Sequence, residues 1–262
     1  MGERALPARP VVGVLHPVGM GTALGAALKP VAGAVIWAAA GRSHATAKRA
    51  EVSDLVGVPD LAELARRSDV VISCCPPSAA LDVAREVAAA VAGRSTAPLF
   101  VDANAVAPAT VTAIGELLGP CNVVDAAVVG PPARAPGRSA LWLAGSRADA
   151  VRLLFEGSPF PPRVLPGGLG VASALAAWYG LETVGVAALR AAAAAAARHC
   201  GVEETLRAEL ARTAGNHRAV GAPERRAEEM DAAGDALAAL GLPDRFARAA
   251  AEVYRRLAAG EL

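Results

Sequence analysis

One segment carries the groups for a recognisable piece of chemistry, VVGVLHPVGMGTALGAAL, which begins at Val11. It joins a β-branched run to a helix-compatible stretch through His16, Pro17, Val18, Gly19, Met20 and Gly21. A strand-to-helix turn presents free backbone N–H groups and the positive end of a helix dipole, which together suit the pyrophosphate of a dinucleotide. Set against the glycine fingerprint G-x-G-x-x-G, only Gly21 is in register. Val18 puts a branched side chain where the middle glycine would admit phosphate, and Gly19 restores an approach one residue later. Two readings stay open: a nucleotide cradle, or a tight turn without a ligand.

The next strand candidate ends in Ala38-Ala39-Ala40 and is followed by Gly41-Arg42-Ser43. A site for NAD places an acid here to accept from the adenosine ribose, and none is present. Arg42 and Ser43 offer a guanidinium fork and a hydroxyl for a ribose 2′-phosphate, with His44 and Lys48 close by in sequence. The alternative is a solvated helix start with Ser43 as its N-cap. His199 and Cys200 precede Gly201 and read as a helix end, where a histidine suits the dipole. Arg134, Arg138, Arg225 and Arg226 read as surface charges.

These segments need a scaffold, and the first half supplies a repeating one. Strand candidates are Val11 to Leu15, Ala34 to Ala38, Val70 to Cys74, Leu99 to Asp102 and Val123 to Asp125. Helical stretches lie between them at 20–29, 43–50, 60–67, 78–91 and 108–118. Such βα alternation predicts an α/β fold, a Rossmann-like doubly wound parallel sheet covered on both faces. A further strand is expected at Leu141 to Ala144, and prolines from Pro159 to Pro162 close a first domain of residues 1–165. Residues 166–262 predict an all-α domain. It opens with one long helix over Gly170 to Cys200, roughly 45 Å in length, and continues with shorter helices at 203–213, 223–240 and 244–259. The alanine run 191–197 reads as a soluble packed helix, since Arg190, Arg198 and His199 flank it.

Composition narrows the classes of function. A net charge of +1 gives no bulk field to recruit nucleic acid or an anionic membrane, so recognition must be local. Residues 1–10 hold no apolar run long enough for a signal peptide or membrane span, and a cytoplasmic protein is expected. The 4 cysteines are expected to be reduced, and no His or Cys spacing suggests a metal site.

The order of segments resembles the β-hydroxyacid dehydrogenase and 6-phosphogluconate dehydrogenase-like superfamily, and in particular short bacterial members with a distinctive helical C-terminal domain. The resemblance spans nearly the whole chain. It is carried by LHPVGMG, AGRS after the second strand, CCPP after the strand ending at Cys74, VDANAVAP after the strand ending at Asp102, and DAAVVGPP beyond it. It implies a nicotinamide dinucleotide cofactor, read with Arg42 as NADP(H). It places Cys75, Pro76 and Pro77 over the nicotinamide ribose, and Asn104 in a loop that contacts nicotinamide and substrate. Asn104 can equally be a turn cap. Gly130 and Pro131, with Pro132, fall where relatives capture a substrate carboxylate, although a proline has no N–H to donate.

The family lysine that handles the proton falls at Ala176. One turn onward stand Tyr179, Glu182 and Thr183, of which Tyr179 and Glu182 are spaced to share a helix face. They read either as proton donors, with Tyr179 and Thr183 lining the substrate, or as a core tyrosine and an ion-paired glutamate. Imine reductases of this superfamily also replace the lysine, because an iminium substrate arrives already charged. The expectation is therefore an NADPH-dependent reductase of a C=N or C=O bond, dimeric through its C-terminal helices. A ligand-binding, lyase or isomerase protein on a degenerate scaffold and a 3-hydroxyacid dehydrogenase are the alternatives.

Overall fold

The computed structural model describes residues 5–119, 122–130, 139–213 and 223–261. Two compact units divide the chain between Tyr179 and Gly180.

The first unit is built on one sheet of eight strands in the order β3-β2-β1-β4-β5-β6-β7-β8. Strands β1 (Val11–Leu15), β2 (Ala34–Ala38), β3 (Val56–Val58), β4 (Val70–Ser73), β5 (Leu99–Asp102) and β6 (Val123–Val129) pair in parallel. β7 (Ala140–Ala144) runs antiparallel to β6, and β8 (Pro162–Val164) runs parallel to β7. The central strands are almost wholly buried, as apolar runs covered on two faces must be. Helices α1 (Met20–Leu28), α2 (His44–Val52) and α6 (Ala148–Phe155) contribute to one apolar cluster, around Val14, Leu24, Ile72 and Phe155. Helices α3 (Leu61–Arg67), α4 (Ala80–Val91) and α5 (Pro108–Leu118) contribute to another, around Leu15, Leu64, Phe100 and Ile114. The doubly wound α/β fold read from the sequence is thus present, and the strand order reverses between β1 and β4.

The structure adds to the strands read from the sequence in three places. β3 was not foreseen, because it has only three residues, two of them exposed, and a glycine at its centre. The sheet is mostly parallel, with β7 antiparallel to β6, and β6 runs on from Asp125 to Val129 to meet it. Pro162 begins a strand instead of merely closing the domain, a position that proline tolerates because its missing N–H costs nothing at the start of an edge strand.

The expected single helix over 170–200 is α7 (Val171–Gly180), a π-helical turn (Leu181–Gly185) and α8 (Val186–His199). By length and composition the 29 residues Val171–His199 could cross a bilayer, and only 11% of the most apolar window is buried. The packing expected for the alanine run is therefore sparse, with Ala197 buried and most of its neighbours partly exposed. The second unit continues with α9 (Glu203–Thr213), α10 (Pro223–Ala239) and α11 (Arg245–Ala258). Within it, Arg248 of α11 bonds Asp235 of α10 at 2.8 Å, and Arg255 pairs with Asp231.

Candidate active site

The end of β1 sets the geometry of the crevice. His16, the first residue beyond the strand, has φ +62, and its carbonyl accepts from the Val18 N–H at 2.7 Å. Gly19 follows with φ +54 as the N-cap of α1, and neither an acid nor a side-chain cap occupies the first turn of that helix. A β-carbon on Gly19 would meet nothing within 4 Å, so the backbone there is open to a ligand. Gly21 is the reverse case: a β-carbon would lie 2.5 Å from the His16 carbonyl oxygen, so only glycine lets the helix start pack on the turn. Val18 is 48% exposed and does not fill the space beside the turn.

Four buried side-chain atoms among the described residues lack a hydrogen-bond partner: His16 Nδ1, Thr22 Oγ1, Arg42 Nε and Asp102 Oδ2. His16 follows β1, Thr22 lies in the first turns of α1, Arg42 follows β2 and Asp102 ends β5. All four thus belong to the carboxyl-end side of the sheet around the β1/β4 reversal. Buried polar atoms normally find partners, so such a concentration of orphans marks a place built for a ligand. Open α/β sheets bind their ligands in this crevice.

At the end of β2, Ser43 caps α2, its Oγ accepting from the Thr46 N–H at 3.2 Å. Its capping reading is therefore realised, and Arg42 is left as the cation facing the crevice. Arg42 and burial act on His16 together; burial is the larger cause, and both hold the imidazole below its usual range. His44 and Lys48, read as helpers of Arg42, line a cleft of about 420 Å³ beside α2 with Thr22 and Arg49.

The loop after β4 is fastened from below. Asn104 is buried, and its Oδ1 accepts from the Cys75 N–H at 2.6 Å and from Ser73 Oγ at 3.5 Å. Its Nδ2 donates to Ser73 Oγ at 3.1 Å and to Asp102 Oδ1. The amide is thus committed within the protein, where it holds the start of the loop Cys75, Pro76 and Pro77. Burial pushes the Cys74 thiol up to about 11 and raises Cys75 too, so both stay protonated near neutrality.

Two acids that the sequence reading left unused organise this region. Asp125, opposite Asp102 in the sheet register, accepts at Oδ2 from the N–H groups of Gly170, Ala172 and Ser173 at 2.9–3.1 Å. Its Oδ1 accepts from Ser173 Oγ at 2.6 Å. A carboxylate from β6 thereby caps α7 and fixes where the long helix departs, which explains why the compact unit extends into that helix. Asp102 is fully buried, and burial first, then the charge of Asp125, raise its carboxyl to about 7.

Gly130 follows β6 with φ +124, whereas Pro131 lies outside the described residues. Tyr179 ends the first unit and is 41% exposed, while Glu182 and Thr183 lie in the π turn of the second. π turns recur at functional sites because they re-aim side chains within a helix. Ala176, where the resemblance places a lysine, packs against a small cluster with Ala127, Ala144 and Ala172.

A domain of unknown function, DUF1932, matches residues 197–257. An uncharacterised 28.5 kDa protein of Methanothermus fervidus is 31% identical over 149 residues, 57% of this chain, and the match spans only 56% of that protein. Among solved structures, a conserved protein of unknown function described as similar to 3-hydroxyacid dehydrogenases is 25% identical, with 96% of this chain and 99% of that one covered and a TM-score of 0.60. An imine reductase from Myxococcus stipitatus in complex with NADP+ is 17% identical, covering 96% of each chain with a TM-score of 0.71. The 3-hydroxyisobutyrate dehydrogenase of Mycobacterium tuberculosis is 18% identical over 96% of this chain and 94% of that one, with a TM-score of 0.61. The resemblance drawn from the sequence is borne out in the fold.

Proposed function

We propose that this chain, which carries the fold shared by 3-hydroxyacid dehydrogenases and imine reductases, is an NADPH-dependent reductase acting on a C=N or C=O bond of a small polar substrate. The observation that carries the reading is the set of orphaned buried polar atoms, His16 Nδ1, Thr22 Oγ1, Arg42 Nε and Asp102 Oδ2, on the carboxyl-end side of the sheet around its reversal. These residues fit a dinucleotide. The open turn at Gly19 and the uncapped start of α1 receive the pyrophosphate, and Arg42 receives the 2′-phosphate. When bound, the nicotinamide supplies the hydride. The Cys75–Pro77 loop, held through Asn104, orients the nicotinamide end, and burial raises the Cys75 thiol so that it stays protonated there.

Proton handling decides between the two bond types. Ala176 offers no proton, which suits an iminium that arrives charged better than a neutral carbonyl. Tyr179 or Glu182 is proposed to hold a proton near the substrate, with Thr183 and Gly130 as proposed substrate contacts, while Pro131 lies outside the described residues. A second copy of the chain covers the exposed apolar side chains Trp178, Leu181, Val184 and Leu189 of the long helix, giving a cytoplasmic homodimer.

The test is turnover, followed by loss of NADPH absorbance against a panel of cyclic imines and keto acids. Reduction of imines in preference to keto acids is expected. Preferential oxidation of 3-hydroxy acids would move the chain to the dehydrogenase side. Nucleotide binding without any redox turnover, or no nucleotide binding, would make it a ligand-binding, lyase or isomerase protein.

A further inference from the structure

His16 stands where the glycine fingerprint places its first glycine, and it keeps a left-handed backbone at φ +62. That conformation disfavours a side chain, so packing in a turn does not explain the residue. Its imidazole brings Nδ1 into a buried position with no partner. Beside it, across the β1/β2 boundary, Arg42 brings an equally buried and unpartnered Nε–H.

We propose that His16 is a second recognition residue for the 2′-phosphate of NADPH, a neutral imidazole that takes up a proton when the phosphate enters beside Arg42. The preference for NADPH over NADH is then set partly by pH. The inference rests on the nucleotide site assigned above and adds to it a specificity residue and a coupled proton.

The electrostatics give the sign. Without ligand, burial and the Arg42 charge both hold His16 below its usual range, so it is neutral at pH 7. The other titratable groups near the crevice include His44 and Lys48 of α2 beside Thr22, the protonated thiols of Cys74 and Cys75 on the β4 loop, and Asp102, whose own carboxyl is raised to about 7. A phosphomonoester brings a charge of about −1.5 to −2 near pH 7. Placed between guanidinium and imidazole, it offsets Arg42 and favours the imidazolium, which donates through both nitrogens. A group whose bound-state pKa exceeds its free-state value adds its full affinity below the free value. That gain is lost as pH rises through the bound value. The share of NADPH affinity that His16 supplies therefore falls with rising pH, so NADPH affinity falls more steeply than NADH affinity.

Calorimetric titration of the full chain with NADPH and with NADH tests this, in buffers of different ionisation enthalpy at about pH 6.5, 7.5 and 8.5. Wild type is expected to take up protons with NADPH and to lose about tenfold in affinity across that range, the equivalent of one pKa unit. His16→Gln and His16→Gly are expected to lose the proton uptake and the slope by which NADPH exceeds NADH. Glycine also relieves the backbone, so a folding defect in one variant does not confuse the result. NADPH binding with no uptake in wild type, or an unchanged slope in both variants, overturns the proposal and leaves the reductase reading standing. Equal uptake with NADH places the imidazole on the pyrophosphate and overturns it as well. Failure of wild type to bind either nucleotide removes both.

Discussion

Replacing Asp102 by asparagine isolates the most perturbed acid in the crevice. Asp102 is fully buried, donates no bond of its own and leaves Oδ2 without a partner, while Oδ1 accepts from Asn104. Its carboxyl rises from 3.8 to about 7. In the unfolded chain it returns to an ordinary value, so between pH 4 and 7 the folded state binds the extra proton. Stability then falls as pH rises through this window and levels off above about 7. A rise of about three units corresponds to on the order of 4 kcal/mol across the window. Asp102→Asn removes the titration while keeping the size of the side chain. Urea unfolding of both proteins at about pH 5 and pH 8 is the assay. The variant is expected to be less sensitive to the change by on the order of 2–4 kcal/mol, and more stable than wild type relative to their difference at pH 5. Parallel pH profiles for the two proteins would refute the raised carboxyl of Asp102.

Other outcomes follow from the same site. Arg42→Ala should weaken NADPH by about 1.5–3 kcal/mol and NADH hardly at all; equal losses in nucleotide titrations would remove the 2′-phosphate assignment. Asp125→Ala strands the N–H groups of Gly170, Ala172 and Ser173 together with the Ser173 hydroxyl, and should cost about 3–5 kcal/mol in denaturant unfolding. Loss of less than about 1 kcal/mol would mean that α7 is anchored elsewhere. Tyr179→Phe and Glu182→Gln should each slow turnover by about tenfold or more with nucleotide affinity and melting unchanged; unaltered rates would return both to structural duty. Light scattering should give twice the 26.2 kDa chain mass, and a monomer at all concentrations would contradict the dimer.

The sequence made the sheet legible where burial is two-sided. Runs such as Val70-Val-Ile-Ser and Leu99-Phe-Val-Asp have no other place to go in a chain of this size. It concealed β3 and β8, which have three residues each and take their pairing from neighbours rather than from their own pattern. In the site, the turn from His16 to Gly21 and the cation after β2 were readable because their meaning is local. Asp102 and Asp125 were visible as acids ending apolar strands, an arrangement that burial makes unusual. What each does was not visible. The groups that satisfy Asp125 lie 45–48 residues away, and nothing in the local pattern announces a cap supplied across such a gap. Asn104 illustrates the same limit: the turn chemistry of DANA was evident, but not that its amide would grip the Cys75 N–H from below.

A crystal structure of the chain grown with NADPH tests the central claim most directly. The nucleotide should lie across the carboxyl ends of β1, β2 and β4, its pyrophosphate over Gly19 and its 2′-phosphate on Arg42. Saturating NADPH that leaves this crevice empty, or Val18 turned inward to fill it, would contradict the account.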